Sequence, residues 1–279
     1  MTALRLIYFL GIFCYLYIPI GVLVINSFNL NRYGLGWDGF TLDWFVAMAR
    51  NNSLMEATQH SLVVAVCAAS LATIIGALAA IGLTRYRFFG RRLIQATTMT
   101  LMMAPDIILA IALLVLFIGL GISLGFLSLL LAHITFCLPF AIVTVSARLR
   151  GFDPNLIDAA RDLGASERCI ILRVLLPMMR PALISSWLLS FTLSLDDVIV
   201  SSFVTGPAYD VLPLRIFSMV KVGVKPEVNA LATLMVLLSL LLVVASQIML
   251  KEKKGYEKLD DDSSSDPGDP AHGFPSYGG

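Results

Sequence analysis

Six apolar runs, at about 6–25, 61–84, 93–120, 124–147, 181–204 and 228–250, dominate this sequence. Each is long enough as a helix to cross a hydrocarbon layer of ~30 Å. Lipid offers no hydrogen bonds to a backbone, so such runs must satisfy their own N–H and C=O groups as helices. The third and fourth are separated only by the uncharged turn Gly121 to Leu124. Charged residues make up 14% of the chain, against about 25% in a soluble domain. No water-soluble core could hide the 58% that is hydrophobic. The expected fold class is therefore all-α integral membrane protein with about six transmembrane helices. Arg5 ahead of an apolar run resembles an export signal, but the run is too long for a signal core and no A-x-A site follows. It reads as an uncleaved first span.

Orientation follows from the basic residues. One set of loops and termini holds 15 Lys and Arg, including Arg85, Arg87, Arg91 and Arg92, and six between Arg148 and Arg180; the other holds 5. The positive-inside rule puts the first set, with both termini, in the cytoplasm of a cell whose inner membrane the chain spans. After Leu250 the composition turns to Lys, Asp, Ser, Pro and Gly, which build no core. Residues 1–254 are expected to form one transmembrane domain, and 255–279 a disordered cytoplasmic tail. The net charge of +1 gives no field for a nucleic-acid partner. Cys14, Cys67, Cys137 and Cys169 are scattered and read as free thiols.

The second run is rich in Ala, Gly and Ser, which lets helix backbones approach closely and predicts an inner, tightly packed helix. The outer loops at 26–60 and 205–227 have room for short interfacial helices. Trp37 and Trp44 suit the membrane boundary.

The segment Gly151 to Pro181 carries most information. It reads as two short helices joined at a glycine: Asp153 caps the first, Pro154 fits its first turn, and Gly164 supplies a left-handed stop. Ser166 caps a second helix that Pro177 should limit. Ala159 and Ala160 leave a small surface, which Asp158, Arg161 and Asp162 keep wet. The order Asp158-Ala159-Ala160, Gly164, then Val174-x-Leu176-Pro177 resembles the EAA motif of binding-protein-dependent ABC importer permeases. Asp158 stands where that motif usually has Glu, and Val174 where it has Ile. The resemblance implies a type I permease architecture, with 151–180 as the loop that couples to an ATP-binding subunit. YLYIPI (15–20), NSFN (26–29), HITFCLPF (133–140), SFTLSLDDVIVSSFVTGP (190–207) and VNALAT (228–233) are similar to permeases of spermidine/putrescine importers. That likeness covers roughly residues 12–250. It implies an assembly with a homologous second permease, a dimer of ATP-binding subunits and a periplasmic polyamine-binding protein, all in membrane lipid.

No GxxxxGK[ST] phosphate cradle is present, so this chain is expected to be a transport subunit and not an enzyme, with ATP and Mg held by the partner ATPase. No cofactor or metal set of its own is expected; HExxH and GxSxG are absent. His133, alone in its run, reads as packed against a hydroxyl or carbonyl. An acid within a span costs at least ~2.5–3.5 kcal/mol, so Asp106, Asp196 and Asp197 are the candidate pathway residues. Counted along helices, Asp106 lies ~21 Å beyond Arg92 and Asp196 ~22 Å beyond Pro181, a common depth that suits a desolvated polycation. Of the adjacent pair, Asp196 is favoured for the pathway and Asp197 for packing against Ser or Thr. Pro105 predicts a kink beside Asp106. Trp44 is a weaker candidate for a cation–aromatic contact, against plain interfacial anchoring. Acids that only cap kinks or pair helices are the competing reading. An ABC permease for another solute, such as iron(III) or an opine, and a proton-coupled carrier using Asp106 and Asp196 as a relay are the alternative functions. The coupling loop argues against the carrier, and a membrane enzyme would lack any nucleophile and base pair.

Overall fold

Proline and short polar side chains decide where the apolar runs bend and end. The computed structural model describes residues 2–32, 36–153, 155–222, 226–237 and 240–241. In order these give α1 (Thr2–Ser27), α2 (Asp43–Arg50), α3 (Asn52–Arg85), α4 (Arg91–Met103), α5 (Asp106–Gly119), α6 (Phe126–Arg150) and α7 (Asn155–Asp162). Then come α8 (Glu167–Asp196), α9 (Ile199–Val204), α10 (Leu212–Val222) and α11 (Pro226–Leu237). Among the described residues, Tyr8–Ser27 of α1 and the whole of α3, α6 and α8 are long and apolar enough to cross a membrane. The pair α4 and α5 makes a fifth crossing if counted together. The shorter α11 opens the expected sixth run; its residues 238–239 and 242–250, and the tail 255–279, lie outside the described residues.

Three expectations need correction. The run 93–120 is not one straight helix but two helices meeting at 115°. Pro105 has no N–H and forces Ala104 out of the helical region, to ψ 138°, so the chain turns there instead of merely kinking. The run 181–204 breaks at Asp197, whose backbone is extended (φ −67°, ψ 123°). Pro177 limits nothing: the helix that starts at Glu167 runs through Pro177 and Pro181 to Asp196. Residues 170–175 are wound as a π-helix, and the Leu176 N–H reaches back five residues to the Ile171 carbonyl. That wider turn relieves the clash of the Pro177 ring with the turn before it. The second half of the expected 151–180 loop is thus continuous with the helix that runs on to Asp196.

The chain divides into two compact units, 1–44 with 229–279, and 45–228. In the first, α1 leaves its apolar surface unburied. Asn29 organises the turn that follows: Phe28 and Phe40 stack at 5.5 Å, Asn29 Nδ2 donates to the Gly36 carbonyl, and Trp44 Nε1 donates to the Asn29 carbonyl at 2.8 Å. Trp44 is thereby held by a folded loop.

The second unit is built round α3, which packs on both α6 and α8. Its Ala65, Ala68, Ala69, Ala72, Gly76 and Ala80 are buried, as the small-residue pattern predicts. At the tightest point a Cβ on Gly76 would sit 2.6 Å from the Ala141 Cβ, so only glycine permits that crossing. Trp187 of α8 donates to Ser70 Oγ on α3 at 3.0 Å and stacks on Phe191 at 5.3 Å. Ala110, Leu113 and Phe117 of α5 join Val200 and Val204 of α9 in one buried cluster with Val64, Leu129 and Ala132. The short helices expected in the outer loops are α2 and α10. All four cysteines are free.

Candidate functional site

The loop after α6 is assembled by local rules. Asp153 Oδ1 accepts the Asn155 N–H at 2.9 Å and so starts α7. Gly164 takes φ +80°, and the Gly164 and Ala165 N–H groups close on the carbonyls of Arg161 and Ala160, ending the helix. Ser166 then accepts the Cys169 N–H at 3.4 Å and caps α8. The eight residues of α7 divide by face. Ile157 and Ala160 pack inward on a cluster made by Ala77, Ala80, Ile81, Val145, Ile170, Leu175 and Met179. Leu156 and Ala159 are exposed to the side of that contact, and Leu163, just past the end of α7, is 89% exposed. Asp158 is exposed and pairs with Arg161 at 3.3 Å. Val174 and Pro177 are half-buried and Leu176 is exposed, all on α8.

Glu167 ties this loop to the membrane bundle. Its Oε1 accepts from Arg161 at 2.7 Å and its Oε2 lies 3.3 Å from Arg85 Nη2, at the end of α3. The hydrogen bond to Glu167 holds the Arg161 guanidinium charged even more firmly than usual. Exposed pairs such as these contribute little to stability. Their effect is geometric: they fix where α7 sits relative to α3 and α8.

The three acids fall in different settings. Asp106 opens α5 directly after the 115° turn; it is exposed and has neither hydrogen-bond nor ion-pair partner among the described residues. Its position in the first turn suits a carboxylate, because the free N–H end of a helix favours negative charge. Asp196 ends α8 and is also exposed. Asp197 is buried: Oδ1 accepts the Val200 N–H at 3.2 Å and Oδ2 the Ser201 N–H at 2.7 Å, which starts α9. His133 of α6 lies beside it, with Nε2 3.6 Å from Asp197 Oδ2 and 3.1 Å from Ser201 Oγ, and Nδ1 2.6 Å from Ser194 Oγ. His133 is thus packed against hydroxyls, in a polar knot that pins the α8–α9 break to α6. Since α9 packs on α5, Asp106 and Asp196 stand beside two packed broken helices.

Several working residues escaped sequence reasoning. Leu156 and Leu163 extend the outward face of α7, and their spacing from Ala159 on a helix was the available signal. The link from His133 to Asp197 had none, because the partners are more than sixty residues apart. Glu167 gave no sign of its three-way role.

The family described as binding-protein-dependent transport system inner membrane component matches residues 72–251. The chain belongs to that family. As a member of it, the chain is 57% identical over 243 residues to the spermidine/putrescine transport system permease protein PotC of Escherichia coli (strain K12), covering 87% of this chain and 92% of that one. It is 42% identical over 237 residues to the putrescine transport system permease protein PotI of the same strain, covering 82% and 84%. Its fold is that of ABC importer permeases: a bacterial ABC transporter involved in the import of the acidic polysaccharide alginate superposes with a TM-score of 0.67 at 16% identity, over 90% of this chain and 95% of that one.

Proposed function

We propose that this family member is the permease subunit of an ATP-driven importer of polyamines, spermidine or putrescine. It forms part of the pathway and hands the motion of a separate ATPase to it. The identity to PotC along 87% of the chain supports this reading above all else. Two features of the site agree with it. The exposed carboxylates of Asp106 and Asp196 suit a desolvated ammonium group, and the exposed face Leu156, Ala159, Leu163 suits a groove on a partner protein. The partners on this reading are an ATP-binding dimer that holds ATP and Mg, a homologous second permease and a periplasmic polyamine-binding protein. Lipid and the second permease cover the unburied surface of α1. Residues 1–254 act as one membrane domain with a cytoplasmic tail.

Reconstitution of the chain with those partners in vesicles tests the reading. Labelled spermidine or putrescine is expected to accumulate when ATP is supplied on the ATPase side, and not under a proton gradient alone. Accumulation driven by the proton gradient would make the chain a secondary carrier. ATP-driven import of another solute, with polyamines ignored, would keep the class and remove the cargo.

Orientation is checked separately. Both termini are proposed to be cytoplasmic, from the 15 to 5 division of basic residues. Single cysteines replacing Gly90 and Ser265 are expected to be shielded from an impermeant thiol reagent applied outside, and one replacing Trp37 to be labelled. The reverse pattern would overturn the topology and the coupling role of 151–166 together.

A further inference from the structure

Where α3 and α6 finish and α4 begins, at the same end of the bundle as α7, lies a cavity of about 350 Å³. Phe152 of the loop after α6 reaches its wall, but neither α7 nor the acids of the candidate pathway line it. Arg91 and Gln95 of α4 line it, with Ser146 and Arg150 of α6, and no acidic residue does. The hydroxyls of Thr84 and Thr98, also in its wall, are spent on carbonyls of their own helices. The side chains of Arg91, Gln95, Ser146 and Arg150, by contrast, have no hydrogen bond or ion pair among the described residues. Arg85 and Arg161, at the same end, both reach Glu167. Asp153, Asp158, Asp162 and Glu167 are exposed at that end and none of them lines the cavity, which therefore gathers positive charge and donors with no acceptor in its wall.

The rim adds a second character. A neighbouring concavity shares Arg91 and Gln95 and is edged by Arg87, Phe89, Arg92 and Leu93. Phe89 is fully exposed and Leu93 is 71% exposed. Arginines beside bare apolar side chains are the chemistry of the boundary between lipid headgroups and acyl chains. Guanidinium forks match phosphate oxygens, and a basic pocket between transmembrane helices suits an acidic headgroup.

We infer that this cavity seats the phosphate headgroup of an anionic phospholipid, with Arg91 and Arg150 on the phosphate, Gln95 and Ser146 as donors, and the acyl chains along Phe89 and Leu93. The inference does not depend on what the chain transports. A free phosphate would offer the same headgroup chemistry, and an acidic segment of a partner chain the same charge, so the test separates them. The full chain, assembled with its partners, is exchanged into an equal mixture of phosphatidylglycerol and phosphatidylethanolamine, and retained lipid is read by native mass spectrometry. Phosphatidylglycerol is expected to be retained preferentially by about tenfold. Arg91→Gln with Arg150→Gln should abolish the preference, and Arg168→Gln, at the exposed start of α8 and outside the cavity wall, should leave it. Gln95→Trp, which fills the cavity and keeps both charges, should also abolish it, so a folding defect in the double variant does not block the test. Equal retention of the two lipids by the wild type, or an unchanged preference in both cavity variants, overturns the inference. Displacement of the lipid by millimolar inorganic phosphate would instead make this a free-anion site. Cross-linking of a cysteine at position 95 to a partner chain would make it a protein contact.

Discussion

Ala159→Arg is expected to cut ATP-driven uptake at least tenfold while the chain still inserts and assembles. Ala159 is exposed on the outward face of α7 and takes no part in the cluster that seats this helix, so a long cation there leaves the chain's own packing intact. On a partner's surface it would meet a groove shaped for a methyl group. Ala160→Arg is a different experiment, because Ala160 faces inward on that cluster; overpacking it costs about 1–3 kcal/mol and should displace the whole loop. Gly164→Asp combines the two, since φ +80° costs a side-chain-bearing residue about 1–2 kcal/mol and the helix stop is lost. Gly164→Asn, which tolerates that conformation better, should retain more uptake than Gly164→Asp. The measurement is uptake together with ATPase activity and the recovered subunit ratio. Wild-type uptake by Ala159→Arg would remove α7 from the coupling path.

How far the sequence revealed this arrangement depends on the range of the interactions involved. Asp153, Gly164 and Ser166 act within a few residues, so a cap, a stop and a second cap could be placed by inspection, and all are present. The small-residue face of α3 was legible for the same reason: burial by close approach needs small side chains whatever the partner is. Pro105 announced a disturbance but not its size; beyond the 115° turn α5 packs against α9, a contact made far along the chain that no local rule foretells. Pro177 misled, since the rule that proline ends a helix assumes α-helical hydrogen bonding, and the π-turn at 170–175 removes that premise. The number of crossings stays at four or five among the described residues, with α11 opening a further run. In the candidate pathway, the sequence reading favoured Asp196 over Asp197, and the fold supplies the physical difference: Asp197 is buried, held by α9 and His133, and Asp196 is exposed.

That separation leads to the other large effect. Asp106→Asn and Asp196→Asn are each expected to reduce spermidine or putrescine uptake at least several-fold, with assembly and basal ATPase activity retained. Both carboxylates are exposed and neither stabilises its own chain through a side-chain partner among the described residues, so the amide removes charge at little structural cost. At an effective dielectric of ~20 and 4 Å, a carboxylate and an ammonium attract by ~4 kcal/mol before desolvation is subtracted, enough to govern passage of a cation. Asp197 should behave otherwise. Its two oxygens each take a backbone N–H at the start of α9, so Asp197→Ala leaves two buried donors unpaired, at about 1–3 kcal/mol each. The expected result is a lower thermal midpoint and poorer recovery of the folded chain, whereas Asp197→Asn, which keeps one acceptor, should lose less. Thermal unfolding in detergent, measured on the same preparations as uptake, distinguishes the two kinds of acid. If both exposed-acid variants import polyamine at the wild-type rate over a range of concentrations, these carboxylates are structural and the cargo reading rests on kinship alone. If Asp197→Ala unfolds at the wild-type midpoint, the knot round His133 does not hold the α8–α9 break.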